Sequence, residues 1–238
     1  MRGRRFIHAR SVWLVAGKIL CNGVTIMDSA GAGEPILTEL LLENVSVGAL
    51  SELSLVVPAG QIVCLSGPSG SGKSRLLRAV ADLEPHGGGI SLGGTRQQDM
   101  PAHQWRSRVV MVPADSQWWF DEVGGHFPED AGSRLPSALG FPSEVMGWSV
   151  SRLSSGERQR LALWRALSLQ PEALLLDEPT ANLDGSSTET LETWLLEEIR
   201  RRHIATLWVA HDPGQIHRVA DAHYRIHGTR LEPVHGGD

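Results

Sequence analysis

Eight consecutive residues, Gly67, Pro68, Ser69, Gly70, Ser71, Gly72, Lys73 and Ser74, gather three glycines, three serines and a lysine into one stretch. They fill the pattern GxxxxGK followed by Ser or Thr, the sequence of a phosphate-binding loop. Glycines at 67, 70 and 72 let the backbone take unusual dihedrals. Successive N–H groups then converge on phosphate oxygens at a helix N-terminus, where the dipole favours an anion. Lys73 is placed to reach the outer phosphates, and the Ser74 hydroxyl to sit on Mg²⁺. Of the 22 basic residues only Lys18 and Lys73 are lysines. A compact ammonium fits such a cradle where a planar, bulkier guanidinium does not.

Two carboxylates and a histidine add the means to cleave a phosphoanhydride. The apolar run Ala173-Leu-Leu-Leu ends in Asp177 and Glu178, and parallel sheets carry their ligand sites at the carboxyl ends of strands. Asp177 is expected to partner Mg²⁺ through water, and Glu178 to act on the attacking water as base or orienter. His211 follows a second apolar run, Ala205 to Ala210. There it can donate to the γ-phosphate and hold Glu178 and the water in line. Taken singly, an Asp-Glu pair is more often a solvated turn and a lone histidine a structural one. Their convergence with the phosphate loop turns the reading toward chemistry.

The elements that would carry these groups are legible from periodicity. Leu40 to Val47 and Leu53 to Val57 alternate as strands of an edge sheet, and Pro58-Ala-Gly makes a turn. Gln61 to Ser66 is a short apolar run of the kind buried in a parallel sheet, aimed into the glycine loop. Leu76, Leu77, Val80 and Leu83 keep helical spacing behind it, and His86-Gly-Gly-Gly is expected to end that element. Val109 to Val112 reads as a strand, Ser154 onward as a helix, Ala173 to Asp177 as a strand, Ser187 to Arg202 as a helix and Ala205 to Ala210 as a strand. Helices alternating with apolar strands imply a parallel α/β sheet. The stretch from about 114 to 165 begins rich in Gly, Pro and Trp with poor periodicity and reads as an inserted small lobe.

Composition bounds the partners. The chain has 238 residues, 41% of them hydrophobic, which fits one compact domain or a domain with a smaller lobe. Its 22 basic and 27 acidic residues leave a formal charge of −5, which removes the electrostatic footprint of a nucleic-acid binder. Cys21 and Cys64 show no disulfide or zinc spacing, so a reducing compartment fits. The apolar stretch Val12 to Met27, broken by Lys18 and Asn22, is too weak to cross a bilayer. Its basic start imitates a signal peptide without a clear cleavage site. Residues 1–35 therefore read as an extension, or as a start assigned upstream of Met27, ahead of a domain at 36–238. His217, His223 and His227 lack the helical geometry of a zinc pair.

At Leu153-Ser-Ser-Gly-Glu157, followed by Arg-Gln-Arg-Leu-Ala-Leu-Trp-Arg-Ala-Leu, the chain resembles the ATP-binding-cassette (ABC) ATPases, whose signature is LSGGQ. Ser155 stands for a Gly and Glu157 for the Gln, while Ser154 and Gly156 remain. The resemblance covers about residues 40–226, in the order phosphate loop, signature, Asp-Glu strand, Ala181-Asn-Leu-Asp184 and His211. It implies an α/β fold: a P-loop NTPase core with a mostly parallel sheet, an antiparallel β edge subdomain and a small inserted helical lobe. It also implies ATP and Mg²⁺ as ligands and head-to-tail pairing of two cassettes, Ser154 and Gly156 contacting the ATP held by the partner, with Ala181 to Asp184 coupling the sites. A hydroxyl and a free glycine N–H at a helix start suit such an anion cradle.

Two family features are missing. Ala114 occupies the place of a Gln that touches Mg²⁺ and relays nucleotide state; Gln117 is the nearest substitute, with Trp118 and Trp119 beside it. No aromatic residue in Asn44 to Leu50 is available to stack on adenine, leaving Val47, with Trp13 a remote candidate. The resemblance implies the ATPase subunit of a membrane transporter, a homodimer beneath a separate transmembrane permease. It would lie at the cytoplasmic face of the membrane and touch it only through that permease. The small bacterial cassettes of iron-export systems look most similar. The alternative is a non-transport ABC ATPase of DNA repair or translation, whose usual coiled coil, zinc modules or second cassette are not visible in the sequence.

Overall fold

The computed structural model describes residues 38–181, 183 and 185–234, together with the backbone of two short strands ahead of them. The chain divides into two units, Met1–Ile36 and Leu37–Asp238. In the first, β1 (Trp13–Val15) and β2 (Lys18–Leu20) pair antiparallel. Arg2 to Arg5, Cys21, Met27, Asn182 and Asp184 lie outside the described residues, as does the Trp13 side chain.

The second unit opens with a hairpin of β3 (Leu40–Val47) and β4 (Leu50–Val57). Leu40, Leu42, Val45 and Val47 of one strand and Leu53, Leu55 and Val57 of the other are buried while intervening residues face outward. This is the pattern of an antiparallel sheet with one wet face. Pro58 then turns the chain by accepting from the Gln61 N–H at 3.1 Å, and β5 (Ile62–Ser66) enters a different sheet. α1 (Lys73–Val80) follows the glycine loop.

Helix α1 ends at Val80, and Leu83, expected on its apolar face, is largely exposed. The glycines after His86 do not simply end an element; they form β6 (Gly87–Leu92), which pairs with β3. The pairing crosses a bulge between Glu43 and Ser46. Gly88 passes so close to β3 that a Cβ there would meet the Asn44 carbonyl oxygen at 2.3 Å. A sequence with weak strand propensity is thus a strand because only glycine fits its neighbour. β7 (Thr95–Arg96) closes a four-stranded sheet ordered β4-β3-β6-β7.

A short α2 (Ala102–Arg108), not anticipated from the sequence, leads to β8 (Val109–Val112). Between β8 and α3 (Ser155–Ser168) the inserted lobe contains five single turns of 3₁₀ helix from Val123 to Arg152 rather than α-helices. Pro128, Pro136 and Pro142, with five glycines, interrupt the turns up to Gly147. Val123, Val145, Leu153 and Leu161 pin the lobe onto α3.

After α3 come β9 (Ala173–Asp177), α4 (Gly185–Arg202), β10 (Ala205–Val209), an unanticipated α5 (Pro213–Val219), β11 (Ala222–His227) and β12 (Arg230–Pro233). The main sheet runs β12-β11-β5-β10-β9-β8, parallel except for β12 at its edge. Alternation sorts its side chains between two cores. Leu65, Leu175 and Leu207 pack with Leu76 and Leu77 of α1, whereas Cys64, Leu174, Leu176 and Trp208 pack with α3 and with Leu191, Leu195 and Ile199 of α4. Among the described residues no helix is long and apolar enough to cross a membrane.

Candidate active site

The three candidate chemical segments emerge from the carboxyl ends of three neighbouring strands. β10 lies between β5 and β9, with Val209 level with both Leu65 and Asp177. Two strand spacings, about 10 Å, therefore separate the start of the phosphate loop from the acidic pair.

The loop is shaped by its glycines. Gly67 has φ 149° and Gly72, the N-cap of α1, φ 100°. A Cβ on Gly67 would stand 3.1 Å from the Ile226 side chain, and one on Gly72 would stand 3.0 Å from Leu50 at the hairpin tip. Both positions demand glycine by conformation and by space. Lys73 Nζ donates to the carbonyls of Gly67 at 2.9 Å and Pro68 at 3.0 Å, so the ammonium lies back across the loop. Burial pushes it below the usual lysine range, opposed by the charges of Glu178 and then Asp177. The Ser71 hydroxyl is buried without a hydrogen-bond partner. An orphan hydroxyl, a glycine cradle and a partly desolvated ammonium suit a polyphosphate, which brings the acceptors they lack.

Asp177 is buried at the end of β9. Glu178 continues the pairing through its N–H to the Val209 carbonyl at 3.2 Å, then takes φ 49°, a left-handed conformation uncommon for a non-glycine residue. That turn brings its carboxylate to His211, with Oε1 2.9 Å from Nε2. Both side chains stay partly open to solvent, as groups acting on a substrate must. A cavity of about 250 Å³ reaches from this pair to Thr180, Gln215 and Arg218.

Ser154 is the N-cap of α3 and forms a capping box with Glu157. The Glu157 N–H donates to Ser154 Oγ at 3.2 Å, while Glu157 Oε2 accepts from Ser154 N at 2.8 Å and from Ser154 Oγ at 2.9 Å. The Ser154 backbone N–H above all, then its hydroxyl, Arg160 and Arg152, hold this carboxyl below the usual range. Ser154 and Gly156 thus stand at a helix start as the motif requires, and the Glu that replaces Gln already takes up the serine donors.

Gln117 is not joined to this group. Its side chain is exposed and its amide nitrogen faces Asp115 Oδ2 at 3.3 Å, while its backbone carbonyl accepts from Arg165 at 3.0 Å. Val47 is packed into the core, leaving no open face for a base. The guanidinium of Arg75 lies at that hairpin tip instead, where a Cβ on Gly48 would meet it at 2.4 Å. Trp118 and Trp119 lean edge-on against His126 under the cation of Arg165. His223 Nε2 bonds the Ser66 hydroxyl at 2.7 Å and His227 faces Glu232. Sequence reading overlooked Glu192, Gln215 and Arg218 behind the acidic pair. They lie on two helices, one of them unforeseen, and no spacing links them.

A family model described as ABC transporter matches residues 50–181. The chain is 35% identical over 215 residues, 82% of its length, to the sulfate/thiosulfate import ATP-binding protein CysA of Synechocystis, of which it spans 60%. It is 38% identical over 187 residues, 72% of its length, to the Fe(3+) ions import ATP-binding protein FbpC of Streptomyces coelicolor, of which it spans 53%. The chain therefore spans little more than half the length of these curated relatives. A solved structure titled as a bacterial Atm1-family ABC exporter with ATP bound superposes with a TM-score of 0.71 at 24% identity, over 82% of this chain and 38% of that one. This likeness speaks to the fold alone. With the phosphate loop, the acidic strand end and the signature helix assembled on that fold, the chain belongs to the ABC transporter family.

Proposed function

We propose that this chain binds and hydrolyses ATP as the cassette subunit of a membrane transporter. The observation that carries the reading is the approach of Glu178 to His211 at 2.9 Å beside a glycine cradle and Lys73. Gly67 to Gly72 would wrap the phosphates with backbone N–H groups, and Lys73 would exchange its two carbonyl acceptors for phosphate oxygens. Ser74 and Asp177 are the residues that would hold Mg²⁺, which when bound offsets the phosphate charge. Glu178 takes a proton from the attacking water, and His211 keeps Glu178 and that water in line.

Ser154 and Gly156 would face the ATP of a second copy of the chain, and a separate permease would bring the pair to the cytoplasmic face of the membrane. The relatives above are named for import of sulfate or thiosulfate and of Fe(3+). They favour uptake over the export implied by the resemblance to iron-export cassettes. The test is to purify tagged Glu178→Gln protein with MgATP from detergent-solubilised cells and identify what remains attached. A multi-span membrane protein supports the reading; soluble partners alone would move it to a non-transport ATPase.

A further inference from the structure

Behind the Glu178–His211 pair lies a buried polar network. Glu192 on α4 is 2% exposed. It takes a forked pair of bonds from Arg218 on α5, from Nε at 2.8 Å and from Nη2 at 3.1 Å. Gln215, also on α5 and buried, donates through one amide nitrogen to two acceptors, Glu192 Oε1 at 2.7 Å and Thr180 Oγ1 at 2.6 Å. The carboxylate can only accept, which fixes which end of the amide faces it. Both amide hydrogens are then committed. Thr180 stands two residues beyond Glu178 in the same turn.

On the other side, Asp212 caps α5 by accepting from the N–H groups of Gly214 and Gln215 at 3.2 and 2.9 Å, directly after His211. The loop carrying the candidate base and the loop carrying its orienting histidine are thus tied at two depths. One tie is the solvent-facing Glu178–His211 contact and the other is Thr180–Gln215–Glu192. Thr180, His211, Gln215 and Arg218 line the same cavity as Glu178.

We infer that Gln215, anchored by Glu192 and Arg218, is a positioning residue that holds the turn after Glu178 at a fixed distance from the His211 loop, so that base and histidine meet the attacking water in register. The inference rests on the roles proposed above for Glu178 and His211. A buried carboxylate needs its partners held in place, since losing one leaves an uncompensated charge, and a satisfied amide shared between two elements resists their separation. The network therefore supplies stiffness where Glu178 itself sits in a strained conformation.

The cleanest test is Thr180→Val in the full chain. It is nearly isosteric and leaves Gln215, Glu192 and Arg218 bonded while cutting the tie to the turn. We expect kcat for ATP to fall about tenfold with KM within about twofold, and Thr180→Ser to restore most of the loss. In a His211→Ala background Thr180→Val should cost less than about twofold further, because both act on one geometry. Gln215→Met, which keeps volume and loses both donors, should behave like Thr180→Val; thermal unfolding of each variant separates misfolding from misplacement. Unchanged kcat in Thr180→Val, or an equal loss in both backgrounds, overturns the inference. Wild-type turnover in Glu178→Gln or His211→Ala would instead overturn the site reading beneath it.

Discussion

Glu178 combines a positive φ, a histidine partner and a place at a strand end, and it is the residue on which the proposed chemistry turns. Glu178→Gln keeps the shape and the backbone pairing but loses the basic oxygen. We expect ATP binding to persist while turnover falls by a factor of about 10² to 10⁴, read as single-turnover hydrolysis against nucleotide affinity. Lys73→Ala should weaken both, since in the proposed site the ammonium would serve the bound phosphates as well as the reaction. Undiminished ATP affinity in that variant would show the cradle to be misread. Glu157 offers a sharper departure from the family pattern. Its carboxylate already takes both Ser154 donors, and an arriving phosphate would meet that negative charge. Glu157→Gln retains the cap while removing the charge, so ATP-dependent association of two chains should tighten several-fold, measured by sedimentation with MgATP. The pH dependence has a defined sign. A carboxyl held below its unfolded value stabilises the fold above about pH 4.5, and that contribution is lost as pH falls through the lowered value. The variant should therefore show a flatter acid limb in thermal unfolding.

At the scale of elements, β5, β8, β9 and β10 of the main sheet were legible because each is a near-continuous apolar run, the signature of burial on both faces, whereas the polar edge strands β11 and β12 carry no such run. β6 was hidden because its three glycines carry no side-chain pattern; its close pairing with β3, which only glycine at 88 permits, makes it a strand. Gly88→Ala tests this. The added Cβ meets backbone oxygen and the residue holds φ 81°, so we expect a loss of about 2 to 4 kcal/mol in denaturant unfolding. A loss below about 0.5 kcal/mol would mean that the β3–β6 pairing relaxes freely. Likewise α5 escaped notice, since seven residues with one proline give no helical period. Asp212 and Pro213 are nonetheless a recognisable start signal.

For the whole molecule, the closed state expected of the family is an assembly of two cassettes. If Ser154 and Gly156 complete a site on the partner, Glu178→Gln with MgATP should elute as a dimer and revert to monomer without nucleotide. Persistence as a monomer at high protein concentration would remove the head-to-tail arrangement. The lobe between β8 and α3 bears the molecule's exposed Trp119 and Phe120 over His126. Its proline-broken turns show why sequence periodicity assigned it no structure beyond a lobe.

The sequence by itself determined the phosphate loop, the acidic strand end, the signature segment and the parallel α/β core, since each depends on residue types at fixed local spacing. Only the tertiary structure decided which groups meet. His211 reaches Glu178 because β10 pairs beside β9, and Gln117 turns to Asp115 because its loop leads away into the lobe. Gln215 finds Thr180 and Glu192 across residues far apart in the chain. Such meetings are set by strand order and helix packing, which local spacing does not encode.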